Sequence, residues 1–285
     1  MDQIKKILVP VDFSTNSTHA LQYAELLARQ NNASITVLHV LFIAGAPHTR
    51  IYTTMLEENM TENAKAGCSR MISSVKKGTS DTLNIDYVIL ENGLPADEIT
   101  MYAGHHQFDL IVMGTKGASG IQELFMGSVT ASVIRKTGVP VLAVPHEYRS
   151  ERPDSILLLT YRFEENKALL DTVISLAKMF SATVHVAVFE DADTAKAVEY
   201  IDDRRRLEHY MQFIRKTYPG IEFREELLAG NDFEEAVEEY DKRNGVDMVA
   251  MITYPKKFLE RWLQKNRTRK MAFHSRIPIL AIPVV

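Results

Sequence analysis

The sequence predicts an α/β protein built from two doubly wound parallel sheets in tandem, and three observations lead to that fold class. Short apolar runs alternate with amphipathic helical patterns along the whole chain, which favours helices on both faces of a parallel sheet. The same order of elements occurs twice. The chain has 285 residues, about twice the usual size of one domain. We therefore expect one domain at residues 1–146 and a second at 154–285, joined by a polar stretch.

The first half is predicted to hold five strands and four helices in alternation. Its first helix has an apolar face made of residues at helical spacing, from Ala20 and Leu21 to Ala28. The expected strands are 5–11, 34–41, 84–90, 109–113 and 140–144, and the expected helices are 16–30, 55–77, 95–104 and 128–137. Because each half contributes five strands, the fold class is two five-stranded parallel sheets.

The second half repeats the strand sequences of the first. Residues 7–12 are echoed by 156–161, 33–40 by 182–189, 109–113 by 247–251 and 139–145 by 277–283. The intervening helices are predicted near 164–180, 194–217, 232–243 and 258–274. The last strand of each half is apolar and carries prolines near its ends, and an apolar edge strand is a pairing surface that has to be covered.

Composition narrows the classes of function. Hydrophobic residues make up 46% and charged residues 25% of the chain, as in ordinary globular proteins. A net charge of −4 gives no electrostatic case for a nucleic-acid partner. The basic stretches at 203–206 and 265–270 are interpreted as solvated helix surface, with an anion or an acidic partner as the alternative for the second. The single cysteine, Cys68, excludes an intrachain disulfide and fits a reducing compartment.

The N-terminus has no signal-like pattern, and no apolar run reaches the length of a membrane span. We therefore expect a cytoplasmic protein without a membrane partner.

A glycine-rich connection follows the predicted strand 109–113. Gly114 allows a sharp turn off the strand, and Gly117 allows backbone to approach an anion without a Cβ in the way. Nine residues separate Gly117 from Gly127, which frees the approach to a helix, and Ser128 is expected to be the N-cap of that helix. Backbone N–H groups at such a strand-to-helix connection bind phosphate. The spacing G-x2-G-x9-G-[ST] is neither the dinucleotide-binding pattern nor the Walker pattern.

This spacing resembles that of the universal stress protein family. Residues 6–12 look like the family's first strand, which ends in an adenosine-contacting aspartate, here Asp12. His39 and Val40 look like the end of its second strand, and residues 138–145 like its last strand. The resemblance covers nearly all of residues 1–146 and implies an adenine nucleotide alpha hydrolase-like, Rossmann-like fold. In this family the last strands often pair across a dimer axis, which implies that the two halves pack as a pseudo-dimer.

The resemblance implies an adenine nucleotide at the carboxyl edge of the first sheet. Asp12 would accept hydrogen bonds from ribose hydroxyls or lie beside adenine, Val40 would offer backbone groups to the adenine edge, and Ser128 and Thr130 would bind phosphate. Pro10 and Val11 would wall the adenine, and Met113 would lie against it or the ribose. The expected contact residues are Pro10, Val11, Asp12, Val40, Met113, Gly114, Gly117, Gly127, Ser128, Val129 and Thr130.

Each of these residues also has a structural interpretation. Asp12 could be a turn residue at a helix start, and the apolar members could simply be core residues. Ser128 and Thr130 could cap a helix, which does not prevent them from binding phosphate as well. Lys116 is interpreted as a solvated lysine.

The sequence contains no paired carboxylates, Ser-His-Asp set or metalloprotease signature in a credible site, so no catalytic residue and no metal ligand is predicted. His105 and His106 are expected to face solvent. In the second half Tyr161 stands opposite Asp12, and none of the loop glycines survives: Pro255 stiffens the turn, and Tyr254 adds bulk where phosphates would need backbone. The second domain is therefore predicted to be a degenerate copy that does not bind a nucleotide in the same way.

Together these observations favour a tandem universal stress protein that binds ATP, or another adenine nucleotide, with Mg²⁺ accompanying a triphosphate. It would act as a stress-response sensor or regulator through an unknown protein partner, and a homodimer is open. One alternative is a slow ATPase or nucleotidyl-transfer enzyme. Another is a nucleotide-independent interaction module. The sequence leaves the nucleotide, the stress and the partner undetermined.

Overall fold

The computed structural model describes residues 4–41, 50–76, 82–91, 93–115, 127–146, 148, 152–160, 162–191, 197–230, 233–254 and 277–284. The chain divides into two compact units between residues 150 and 151, called here the first unit and the second unit. Each unit has its own sheet and its own buried core.

Strands and helices alternate through the first unit as the sequence predicts. The largest shift is in the second helix, which begins at Arg50 instead of residue 55. In chain order the elements are β1 (Lys6–Pro10), α1 (Thr15–Asn31), β2 (Ser34–Leu41), α2 (Arg50–Val75), β3 (Ile85–Glu91), α3 (Pro95–His105), β4 (Leu110–Gly114), α4 (Ser128–Lys136) and β5 (Val141–Val144).

The sheet of the first unit has the strand order β3-β2-β1-β4-β5, and every neighbouring pair is parallel. After β1 the chain moves to one side of that strand to form β2 and β3. It then returns to the other side for β4 and β5. The strand order therefore reverses at β1, and such a reversal is the switch point at which open parallel sheets bind ligands.

Helix α1 is positioned by its ends and by its apolar face. Ser14 is the N-cap, and its side chain accepts a hydrogen bond from the backbone N–H of Ser17. Asn32 ends the helix in the left-handed conformation, with φ 51°. The predicted apolar face is buried, as Leu21 and Leu27 show. Burial of that face holds the start of α1 above the carboxyl ends of β1 and β4.

The second unit repeats the architecture of the first. Its strand order is β8-β7-β6-β9-β10, again entirely parallel. The elements are β6 (Ser155–Leu159), α5 (Lys167–Phe180), β7 (Thr183–Asp191), α6 (Ala197–Thr217), β8 (Phe223–Gly230), α7 (Phe233–Asn244), β9 (Met248–Thr253) and β10 (Ile279–Pro283). The helix predicted near 258–274 lies outside the described residues. The predicted tandem of one α/β fold is confirmed.

None of the helices in the described ranges is both long enough and apolar enough to pass through a membrane.

Cys68 is fully buried in α2. Burial raises the pKa of its thiol to about 11. The thiol is therefore protonated at neutral pH and is not the thiolate that acts as a nucleophile.

A half-buried aspartate joins two strands at the amino end of each sheet. Asp109 Oδ2 accepts hydrogen bonds from the backbone N–H groups of Lys5 (2.7 Å) and Lys6 (2.8 Å), at the start of β1. Asp247 Oδ2 accepts hydrogen bonds from the N–H groups of Asp154 (2.9 Å) and Ser155 (3.0 Å), at the start of β6. In both units this aspartate directly precedes the strand that pairs with the central strand, so it fixes where that pairing begins.

Replacing either aspartate by alanine should destabilise its unit, because two backbone donors lose a charged acceptor. For Asp109→Ala and Asp247→Ala we expect the free energy of unfolding to fall by about 2–4 kcal/mol, measured by urea denaturation. Asp86→Ala, at an exposed position on β3, is the matched control and should change it by less than about 0.5 kcal/mol. Equal unfolding curves for Asp109→Ala and Asp86→Ala would contradict the proposed role.

A histidine–tyrosine pair lies in the core of the second unit. His185 Nδ1 is 2.5 Å from the hydroxyl of Tyr240, and both residues are buried. Burial lowers the pKa of His185, and the nearby Arg224 acts in the same direction. The imidazole of His185 therefore becomes protonated at a lower pH in the folded chain than in the unfolded chain.

This pair should make the protein sensitive to acid. Stability that is present above the ordinary histidine pKa is lost as the pH falls, because the unfolded state then binds more protons. In the double variant His185→Leu/Tyr240→Phe, the loss of stability between pH 7.5 and pH 5 should shrink by up to about 2 kcal/mol, measured by denaturation at each pH. Tyr240→Phe alone keeps the imidazole and should keep the acid sensitivity. A double variant as acid-sensitive as the parent would exclude this source.

Candidate functional site

The carboxyl ends of β1, β2 and β4 meet at the switch point of the first sheet. Asp12 lies two residues beyond β1, Val40 is the next-to-last residue of β2, and Gly114 is the last residue of β4. Since the three strands are parallel neighbours in the order β2-β1-β4, these residues lie along one edge of the sheet. The structure thus brings together three predicted site residues that are far apart in sequence.

The backbone of Val40 projects beyond the end of its neighbouring strand. The N–H of Val11 donates a hydrogen bond to the carbonyl oxygen of Leu38 (2.8 Å), so Leu38 directs its backbone groups at β1. Alternate residues of a strand direct these groups to the same side. Val40 therefore directs its N–H and C=O past Pro10, the last residue of β1. One donor and one acceptor side by side can pair with the edge of a planar base.

Asp12 is exposed at this edge and is oriented by the start of α1. Its Oδ1 accepts hydrogen bonds from the backbone N–H (3.1 Å) and the hydroxyl (2.5 Å) of Ser14. Ser14 is also the N-cap of α1. Asp12 is therefore a turn residue and a crevice residue at once, so its two interpretations are compatible.

The start of α4 is tied to the end of β4. The N–H of Gly127 donates to the carbonyl oxygen of Thr115, and the N–H of Thr115 donates to that of Val144 (3.0 Å). The hydroxyl of Thr130 donates to the carbonyl oxygen of Gly114 (2.8 Å). These bonds place the N-terminus of α4, with its outward N–H groups and positive dipole end, at the same edge of the sheet as Gly114.

The side chains at the start of α4 differ in exposure. Ser128 and Val129 are exposed in the first turn, whereas Thr130 is buried. Gly117 and Lys116 lie outside the described residues.

Two local predictions about this connection are wrong. Ser128 is the first residue of α4 and not its cap, because the N-cap is Gly127 with φ −55° and ψ 148°. Gly114 is required by close packing and not by a turn. A Cβ on Gly114 would lie 3.0 Å from the backbone carbonyl of Asn16, in α1. The missing side chain thus lets α1 approach the end of β4, and the contact between a strand end and a helix 98 residues earlier in the sequence could not be read from a local glycine pattern.

The predicted wall residues lie at the ends of the two central strands. Pro10 ends β1, Val11 follows it, and Met113 precedes the last residue of β4. All three are buried. They belong to the core beneath the crevice, as residues of this type do whether or not a ligand lies above them.

Sequence reasoning missed an aromatic pair beside Asp12. Phe13 is 39% exposed and has φ 62°, a backbone conformation that is rare for a bulky residue. Its ring lies 4.3 Å from that of His39, centroid to centroid. His39 Nδ1 lies 2.8 Å from the carbonyl oxygen of Val11, so this nitrogen carries the proton of that hydrogen bond. An aromatic residue directly after Asp12, in an otherwise polar turn, was the available signal.

The corresponding edge of the second unit keeps the backbone frame and changes the side chains. The N–H of Thr160 donates to the carbonyl oxygen of Ala187 (3.0 Å), just as Val11 donates to Leu38 in the first unit. At the position of Gly114 stands Ile252, and Tyr254 follows β9 with the guanidinium carbon of Arg162 4.4 Å from its ring centroid. Tyr161 and residues 255–276 lie outside the described part of the chain.

His105 and His106 are exposed at the end of α3. Within the described ranges, no three or more His, Cys, Asp or Glu side chains are grouped so that they could hold a metal ion.

Comparison with known proteins gives the same relationship in both halves. The sequence matches the model of the universal stress protein family over residues 3–145 and again over 154–283. Universal stress protein MJ0531 of Methanocaldococcus jannaschii is 33% identical over 141 residues, which are 49% of this chain and 81% of that protein. Universal stress protein YxiE of Bacillus subtilis is 32% identical over 145 residues, 49% of this chain and 97% of that protein.

A similar two-unit structure has also been solved. A universal stress protein from Archaeoglobus fulgidus superimposes with a TM-score of 0.70 over 99% of this chain and 97% of its own, at 18% identity, which supports the fold. With the family matched in both halves and the α/β fold repeated in both units, the chain belongs to the universal stress protein family.

Proposed function

We propose that the first unit binds ATP or another adenine nucleotide, and that the chain acts as a stress-response sensor or regulator whose occupancy changes its interaction with a protein partner. The observation that carries this proposal is the pair of hydrogen bonds through Thr115, which hold the N-terminus of α4 against the end of β4. That arrangement puts an anion-binding helix end and the projecting backbone of Val40 at the same sheet edge.

The nucleoside would lie at the β1–β2 side of the crevice. Val40 would donate its N–H to a ring nitrogen of adenine and accept from the exocyclic amine through its carbonyl. Asp12 is exposed and held by Ser14, so its carboxylate is oriented to accept hydrogen bonds from ribose hydroxyls. Phe13 and His39 form an aromatic surface beside these groups. A purine ring can be contacted by aromatic side chains in this way.

The phosphates would lie at the α4 side. Gly127 has no side chain to block approach to the helix start, and the exposed Ser128 adds a hydroxyl donor. The backbone N–H groups of the first turn carry the positive end of the helix dipole. Gly117 is proposed to bring further backbone N–H groups to the phosphates, and Mg²⁺ would accompany a triphosphate.

Binding without turnover suits the side chains around this site. Asp12 follows β1, on the proposed nucleoside side of the site. The hydroxyl of Thr130 is buried and donates to Gly114, so it holds the connection together. A protein that binds ATP without consuming it responds to nucleotide concentration, because a ligand that binds only one conformation shifts the population towards it.

Nucleotide binding should raise the melting temperature of the full chain. With Mg-ATP at 100 times its Kd, the folded state gains about 2.7 kcal/mol, and scanning calorimetry would detect the shift. Gly127→Val should reduce or abolish the shift, since φ −55° and ψ 148° suit any residue and the added side chain obstructs phosphate. Ser128→Ala should reduce it less, and Gly117→Val should abolish it if that glycine lines the phosphates.

Gly104→Ala is the matched control for the glycine variants. It lies in α3, where a Cβ would meet nothing within 4 Å, so it should keep the full response to Mg-ATP. No shift in the parent protein at millimolar nucleotide would contradict the proposal and favour a nucleotide-independent interaction module. An equal shift in Gly127→Val would place the nucleotide elsewhere.

Hydrolysis should not exceed the buffer background. The measurement is release of inorganic phosphate from Mg-ATP by the full chain, with Gly127→Val and Gly104→Ala run in parallel. Turnover that is present in the parent and in Gly104→Ala but absent from Gly127→Val would instead establish a slow ATPase at this site.

A further inference from the structure

A second polar cluster lies at the carboxyl edge of the second sheet, around Glu164 and Tyr210. Tyr210 is 1% exposed, and neither its hydroxyl nor Glu164 Oε1 has a hydrogen-bond partner within the described part of the chain. Buried polar atoms in native proteins are nearly always paired, and leaving them unpaired destabilises the fold. Each of these two atoms therefore calls for a hydrogen-bonding partner.

The turn after β6 orients the Glu164 carboxylate. The hydroxyl of Thr160 accepts a hydrogen bond from the N–H of Phe163 (3.0 Å) and donates its proton to Glu164 Oε2 (3.2 Å). The Thr160 hydroxyl thus engages Oε2 and leaves Oε1 without a bond from this turn. Phe163 has φ 56°, and its ring meets that of Tyr210 edge-on, with centroids 5.8 Å apart. The turn thus fixes the carboxylate and packs beside the phenol.

Both the carboxyl and the phenol have raised pKa values, and the two groups do not bond to each other. Burial raises the pKa of Glu164, and Arg162 and the Thr160 hydroxyl partly oppose this. Burial also raises the pKa of Tyr210, and the charge of Glu164 raises it further. A hydroxyl group placed between them could donate to the carboxylate and accept from the phenol. A protonated amine could not accept from the phenol, and a fully ionised phosphate group has no proton to donate to the carboxylate.

Two arginines flank this cluster. The guanidinium carbon of Arg206 lies 4.7 Å from the ring centroid of Phe163, and that of Arg162 lies 4.4 Å from the ring of Tyr254. Both arginines are exposed, and Arg206 also forms an ion pair with Asp203 (3.3 Å). Guanidinium groups stacked on rings keep N–H edges free to bind phosphate or carboxylate. The hydroxyl of Tyr254 is a third buried polar atom without a partner in the described ranges.

We propose that the second unit binds a small hydroxylated anion of the sugar phosphate class at this edge of its sheet. A ligand hydroxyl bonds to Glu164 Oε1 and the Tyr210 phenol, and the anionic group lies at Arg162 and Arg206. This site occupies the position that corresponds to the nucleotide site of the first unit, but it uses charged and aromatic side chains where that site uses glycine and backbone. The proposal does not depend on nucleotide binding by the first unit.

Calorimetric titration of the full chain tests the proposal. Ribose 5-phosphate and glycerol 3-phosphate are the probes. Ribose tests the hydroxyl groups alone, and inorganic phosphate tests the anionic group alone. At least one sugar phosphate should bind at one site, and Tyr210→Phe, Glu164→Gln and Arg162→Ala should each weaken it by about tenfold or more. Ribose and inorganic phosphate should each bind at least about tenfold more weakly than that sugar phosphate.

Two controls separate this site from others. Tyr218→Phe removes a buried hydroxyl of the same unit, one that bonds to Asp171 (3.5 Å), and should leave the affinity unchanged. Gly127→Val, in the first unit, should also leave it unchanged. Binding that is lost in Gly127→Val and kept in Tyr210→Phe would place the sugar phosphate in the first unit and overturn the proposal.

The melting temperature without ligand gives an independent readout. Removing an unpaired hydroxyl should leave the melting temperature of Tyr210→Phe equal to or above that of the parent, whereas Tyr218→Phe should melt lower. If Tyr210→Phe melts lower and neither sugar phosphate binds, the two atoms share a structural water and the proposal is wrong. The proposal is also wrong if neither sugar phosphate binds and the melting temperature is unchanged, or if the sugar phosphate that binds does so as tightly in Tyr210→Phe as in the parent.

Discussion

The last hydrogen bond between β1 and β2 determines where a ligand can approach the first sheet. Val11 donates to Leu38, and β2 then continues for three residues while β1 has ended. A sheet whose central strand stops early leaves the next strand's backbone groups facing outwards. Because β4 lies on the other side of β1, the gap is bounded by a helix start as well as by a strand. Because β1 is shorter than β2 at this edge, Asp12, Val40 and the N-terminus of α4 all border the same gap.

The two units show how one backbone frame carries different chemistry. Asp109 and Asp247 anchor the amino ends of the sheets through the same pair of backbone hydrogen bonds. Thr160 repeats the bond that Val11 makes at the carboxyl end. After that hydrogen bond the two units differ in their side chains. The first unit continues with an exposed carboxylate and glycines, and the second continues with Glu164 and aromatic rings. The frame depends on backbone pairing and apolar burial, so side chains beyond the strand ends are free to change.

Most of the fold could be predicted from the sequence because its strands and helices depend on periodic patterns of apolar residues. Fully apolar runs such as those of β4 and β9 predict strands that are buried on both faces, and the repeated order predicts the tandem. The candidate nucleotide site was harder to predict from the sequence. The roles expected of Gly114 and Ser128 were local, and the structure replaces them with a contact to Asn16 and a cap at Gly127. Phe13 and His39 were missed because their contact joins residues from two elements.

The sequence by itself therefore determined the α/β class, the two-fold repetition, the family relationship and the identity of the residues that follow each strand, since all of these depend on hydrophobic periodicity and on motifs read along the chain. Only the tertiary structure decided which of those residues meet. It placed the Val40 backbone beyond the end of β1, joined Thr115 to Gly127, and set the ring of Phe163 against that of Tyr210. The physical reason is that strand register and helix packing depend on contacts between residues distant in sequence, and a local pattern does not contain the position of its partner.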